Sequence, residues 1–103
     1  MTYNLIITER ADKMIDNLIY YILHKLCNPP AALHFIENLE NIYQRLKENP
    51  LQFPKCSNKI FKNKEYRQAL FSKMNYRVIF RIDEQTVYIV GVFHTLENYE
   101  QKL

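Results

Sequence analysis

The sequence predicts an α+β domain of order β-α-α-β-β-β, an N-terminal helical hairpin packed on a largely antiparallel four-stranded sheet. Three observations predict it. A run of strand formers opens the chain, two stretches with apolar residues at helical steps follow, and three strand-like runs close it.

Each element has a local reason. Residues 3–7, YNLII, are rich in strand formers. Thr8 is placed to cap a helix whose first turn carries Glu9 and Asp12. Ala11, Ile15, Leu18, Ile22 and Leu26 recur at three- and four-residue steps, so one stripe of that helix is apolar. Asn28-Pro29-Pro30 stops it and starts the next, because Asn caps well and Pro suits a first turn. Ala32, Phe35, Ile36, Leu39, Ile42, Tyr43 and Leu46 form the second stripe, which Pro50 ends. Residues 50–64, with Pro50, Pro54 and four lysines, read as an irregular basic loop. Strands are expected at 66–72, 75–82 and 86–93.

Composition narrows the chemistry. A chain of 103 residues, 48% hydrophobic with eight Tyr and six Phe, can bury one core, so residues 1–103 are read as a single domain. The lone glycine, Gly91, excludes glycine-rich phosphate loops and dinucleotide fingerprints. Only Ser57 and Ser72 are available as serine nucleophiles, which argues against a serine hydrolase. Cys27 and Cys56 are isolated and read as reduced thiols. His24 and Cys27 lie one helical turn apart, but no second pair at ligand spacing follows, so neither a metal nor another cofactor is expected. The N-terminus lacks a basic and apolar leader pattern, and no apolar run reaches membrane-spanning length. The expected location is cytoplasmic, with no membrane partner.

Charge is unevenly spread. Residues 1–50 hold five Lys/Arg against six Asp/Glu, whereas 51–103 hold nine against five. Lys55, Lys59, Lys62, Lys64, Arg67, Lys73, Arg77 and Arg81 crowd into 55–81 with one acid, Glu65. That field attracts a polyanion, which makes Lys55, Lys59, Lys62, Lys64 and Arg81 candidate phosphate or RNA contacts.

Pattern also registers the last hairpin. With its turn at Glu84-Gln85, Ile82 opposes Val87, Phe80 opposes Ile89, Val78 opposes Gly91 and Tyr76 opposes Phe93 on a buried face. The other face pairs Arg81 with Tyr88, Ile79 with Val90, Arg77 with Val92 and Asn75 with His94. For the preceding hairpin, a three-residue loop (Lys73-Met74-Asn75) puts Arg67, Ala69 and Phe71 on the arginine face, and a two-residue loop puts Arg67 in the core. The desolvation cost of a buried guanidinium favours the former. Arg67, Arg77, Arg81, Tyr88 and His94 are then expected to share the sheet face that the helices leave open. Guanidinium groups fork onto phosphate oxygens and a histidine moves protons near neutral pH, a set suited to cleaving RNA through its own 2′-hydroxyl without a metal.

The strand-helix-helix order with "LKENPLQFP", "EYRQALFSKMNYRVIFRID" and "VGVFHTLENYEQKL" resembles the toxins of the bacterial RelE/ParE superfamily over nearly the whole chain. The pair Tyr76-Arg77 and a histidine closing the last strand are its most telling parts. The resemblance implies a toxin held inactive by a labile antitoxin encoded in the same operon, the complex alone contacting operator DNA. RelE-type members cleave mRNA in the ribosomal A site. For them the resemblance places Arg77 on the scissile phosphate, Arg67 at a basic position, His94 near a catalytic histidine and Tyr99 near a C-terminal tyrosine. Two positions depart from RelE itself: Thr95 replaces an arginine, and Ala69 a lysine. ParE-type members poison DNA gyrase without a catalytic set. The long hairpin and the late histidine lean that way, although the arginine that often follows the histidine is absent from "HTLENY". A ribosome-dependent endoribonuclease is the first expectation, a gyrase inhibitor the alternative, and a degenerate non-toxic member the third.

Overall fold

The structure is a computed structural model that describes residues 2–56 and 65–95. Strand β1 (Asn4–Ile7) leads into helix α1 (Glu9–Tyr20), which runs on as a π-helical turn (Tyr21–Lys25); helix α2 (Pro29–Glu48) and a 3-10 turn (Pro50–Gln52) follow. Strands β2 (Arg67–Leu70), β3 (Tyr76–Asp83) and β4 (Thr86–His94) complete the order. The sheet runs β1-β4-β3-β2, with β1 parallel to β4 and the other pairs antiparallel. This is the expected α+β arrangement, with one parallel pair because β1 reaches β4 only after the chain has crossed the helical layer.

Both predicted caps form. Thr8 Oγ1 accepts the Ala11 N–H at 3.2 Å and donates to Ile89 O at 3.0 Å, so one residue starts α1 and ties it to β4. Asn28 Oδ1 accepts the Ala31 N–H at 3.2 Å and Pro29 occupies the first position of α2. Each such cap stabilises its helix by about 1 kcal/mol. Tyr43, half-buried on α2, has its phenol pKa pushed up to about 12, by burial first and then by the Asp12 carboxylate.

The main core lies between the helices and one sheet face. Ala11, Ile15 and Ile22 join Phe35, Leu39, Ile42 and Leu46 over Val78, Phe80, Val87, Ile89 and Val92. Burying each large side chain contributes roughly 1.5–3 kcal/mol. Leu26 leaves the predicted stripe and is exposed. The reason is the π turn, in which the Leu26 N–H donates to Tyr21 O five residues back at 3.0 Å and so rotates later residues off the 3.6-residue phase.

Two strand expectations are corrected. The β2–β3 loop has four residues, 72–75, closed by Phe71 N–H to Tyr76 O at 3.0 Å. Its even count turns Arg67, Ala69 and Phe71 toward the helices, and Ala69 and Phe71 join the main core. In β4 a bulge at Val90 shifts the register: Phe80 opposes Ile89, but Ile79 opposes Gly91, Val78 opposes Val92, Arg77 opposes Phe93 and Tyr76 opposes His94.

Candidate functional site

The bulge decides where the predicted site residues go. Arg77 and Arg81 alternate with Val78 and Phe80, so they stand on the sheet face opposite the main core. His94 pairs with Tyr76 and therefore stands on the helix-facing side. Its ring meets that of Tyr76 edge-on, with centroids 5.3 Å apart. Tyr76 in turn packs on Phe35 and Phe71. The expectation that His94 shares the arginine face is thus corrected: one extra residue in β4 carries it through the sheet.

Arg67 is corrected likewise. It opposes Phe80 on the helix-facing side at the sheet edge, half-buried, and its Nη1 donates to Phe53 O at 2.6 Å. The desolvation argument misplaced it because an edge position lets a guanidinium find a carbonyl without entering the core. Lys55, exposed, bridges to Arg67 through the backbone and so borders the same edge. Lys59, Lys62, Lys64 and Tyr99 lie outside the described residues.

The sheet face opposite the main core is built, not bare, and α1 reaches it through Met14. Cys56, Ile79 and Phe93 form a second small core there, with Met14, Tyr66 and Val90 against it. Beside it, Arg77 Nη1 donates to Gln68 Oε1 at 2.8 Å and Nη2 donates to Thr95 O at 2.9 Å. Arg81 lies with its guanidinium carbon 4.2 Å from the Tyr88 ring centroid, a cation–π stack. The structure therefore brings together Arg77, Gln68 and Thr95 on one side and His94 with Tyr76 on the other. Gln68 escaped the sequence reading, and Thr95 entered it only as a departure from the RelE pattern, because a strand glutamine and a backbone carbonyl carry no motif. Among the described residues no group of three or more His, Cys, Asp or Glu is placed to hold a metal ion, and no helix is long and apolar enough to cross a membrane.

Two further surfaces stand out. The tip of the helical hairpin exposes Tyr20, Tyr21, Leu23, Leu26 and Leu33. Residues 17–36 around them contain one charged side chain, Lys25. Such a charge-depleted, tyrosine-bearing patch has the composition of a protein-contact core. Of Tyr20, Tyr21, Leu23, Leu26 and Leu33, the helical periodicity assigns only Leu26 to a buried stripe, and the other four fall outside both stripes. The second surface is a cleft of about 510 Å3 between α2 and the β2–β3 loop, lined by His34, Glu37, Asn38, Asn41, Ser72 and Lys73 among others.

Comparisons with known proteins agree with this architecture. The chromosomal ParDE toxin–antitoxin system from P. aeruginosa superposes with a TM-score of 0.72 at 15% identity, covering 90% of this chain and 96% of that one. The RelBE2 toxin–antitoxin complex from Mycobacterium tuberculosis superposes with a TM-score of 0.62 at 21% identity, covering 91% and 99%. No curated protein matches. The model of the ParE toxin of the type II toxin–antitoxin system parDE matches residues 5–99. With nearly its whole length matched to that model and its fold shared with both systems, this chain belongs to the ParE toxin family of type II toxin–antitoxin systems.

Proposed function

We propose that this toxin acts by binding, as a non-enzymatic inhibitor of DNA gyrase in the cytoplasm, and that a cognate antitoxin encoded beside it holds it inactive. The observation that supports the reading is that, among the described residues, the candidate nuclease groups Arg67, Arg77 and His94 do not converge. Arg67 is held on Phe53 O, Arg77 on Gln68 and Thr95, and His94 lies across the sheet from Arg77. An inhibitor needs no converging acid, base and phosphate clamp; it needs a docking surface. The exposed hairpin tip, Tyr20 to Leu33, offers one of suitable composition.

The test is supercoiling by purified gyrase with excess toxin. Inhibition that is lost in Tyr20→Ala/Leu26→Ala, exposed positions whose truncation spares the core, supports the reading; undiminished supercoiling with wild-type toxin overturns it.

A second reading, metal-independent cleavage of ribosome-bound mRNA, is favoured by one observation: Arg77 and Arg81 set two guanidinium groups on the same sheet face. Primer extension on a translated message tests it. Cuts that need translation and vanish with Arg77→Ala support cleavage, and an uncut message removes it.

A further inference from the structure

The two edges of the sheet are treated differently by the chain. At the β2 edge the chain covers its own strand: Gln68 N–H donates to Pro54 O at 3.1 Å, Cys56 N–H donates to Tyr66 O at 2.9 Å, and Lys55 bridges to Arg67. At the β1 edge the last turn of α2 takes one group, the Tyr3 N–H, which donates to Lys47 O at 2.8 Å.

The parallel ladder fixes where the other β1 groups point. Asn4 N–H donates to Gln85 O at 2.8 Å and Thr8 N–H to Ile89 O at 3.1 Å, so Asn4, Ile6 and Thr8 turn their backbone groups toward β4. Leu5 and Ile7 turn theirs outward, and among the described residues nothing bonds to them there. Their side chains pack against the main core, while Ile6 between them stands on the opposite face, 44% exposed. Natural sheet edges are commonly blunted by a lysine, a proline or a bulge. Residues 2–8, TYNLIIT, carry no charge and no proline, and β1 pairs without a bulge.

These groups select their occupant. The outward N–H and C=O groups of Leu5 and Ile7 match their own image in an antiparallel strand. When Leu5 of one copy opposes Ile7 of a second copy, the two-fold repeats the pair, and every outward N–H meets an outward carbonyl. Ile6 then faces Ile6 of the second copy as the non-hydrogen-bonded pair, the kind whose side chains approach closest. A register moved by two residues would set an outward residue against Tyr3, whose N–H is already taken by Lys47 O. A charged peptide would find no opposite charge on this edge, whereas a second copy meets no like charge from residues 2–8. The edge is thus complementary to itself.

We propose that two copies of this chain associate edge to edge through β1, antiparallel and centred on Ile6, joining two four-stranded sheets into one continuous sheet. The paired segment is short, so the dimer is weak and its population rises with concentration. Sedimentation equilibrium of the purified chain, over a rising concentration series, is expected to show the mass climbing from one chain toward two. Ile6→Lys sets two ammonium groups against each other at the two-fold and spares the core, because Ile6 is exposed. It is expected to weaken association by about tenfold or more. Residue-resolved hydrogen exchange on the wild-type chain reads the same pairing without a variant. The amides of Leu5 and Ile7 gain protection as concentration rises, while that of Ile6, turned toward β4, keeps the same rate. A single-chain mass throughout, association that Ile6→Lys leaves unchanged, or Leu5 and Ile7 amides indifferent to concentration overturns the proposal.

Discussion

The two halves of the β3–β4 hairpin obey different rules. Near the turn, Ile82 opposes Val87, Arg81 opposes Tyr88 and Phe80 opposes Ile89, as alternation alone requires. Beyond Val90 the pairing is displaced by one residue, and Phe93 and His94 exchange faces relative to a regular ladder. The near half is set by a short turn and one helix-covered core. The far half answers to a second core on the other face, in which Phe93 packs with Ile79 and Cys56. A strand that serves two cores cannot alternate throughout, and the bulge is how it changes allegiance.

The largest expected effect separates the two cores. Phe80→Ala empties the main core beside Phe53, whose ring meets that of Phe80 edge-on at 5.8 Å, and should destabilise by about 4 kcal/mol. Phe93→Ala empties the smaller core, where fewer partners are lost, and should cost about 3 kcal/mol. Urea unfolding at constant m measures both. A Phe93→Ala cost under about 1 kcal/mol would deny that the far half answers to a core of its own.

Next in size is Gly91→Ala, which attacks the junction. A Cβ there would stand 2.6 Å from Phe93 Cε2 and 2.9 Å from Cζ. The Phe93 ring is fully buried and cannot swing away, so we expect a loss of about 2 kcal/mol. The informative readout is the nuclear Overhauser effect between the Tyr76 and His94 rings. It should persist, because Val78 and Val92 remain locked in the main core opposite each other. Its disappearance would mean that the strand slips to the regular ladder and that the bulge is held by Gly91 alone.

The same contrast explains what the residues disclosed in advance. Element order, both helix caps, the Pro50 stop and the turn-side register follow from local propensity and alternation, which single residues carry. The faces of Arg67 and His94 do not. Arg67 depends on the parity of a loop whose residues, Ser72 to Asn75, suit several lengths, and on a carbonyl supplied by Phe53. His94 depends on a bulge whose sole sequence trace is Gly91, a residue equally compatible with a regular strand. The π turn that exposes Leu26 likewise leaves no signature in composition. Sites assembled from distant backbone atoms, such as Thr95 O on Arg77, are invisible until the chain is folded.

The smallest expected effect lies at the turn and tests the claim that the near half is fixed locally. Glu84 has φ 54°, so it holds a left-handed conformation at some steric cost. Glu84→Gly removes that cost, but it also gives the unfolded chain more freedom to lose, and the two nearly cancel. We expect a net stabilisation of at most about 0.5 kcal/mol. Because the turn governs only the pairs up to Ile89, the Tyr76–His94 ring contact should be indifferent to this change while it responds to Phe93→Ala. If the turn substitution instead perturbed His94 as strongly as Phe93→Ala does, the two halves would be one cooperative ladder, and the bulge a consequence of turn geometry carried along the strands.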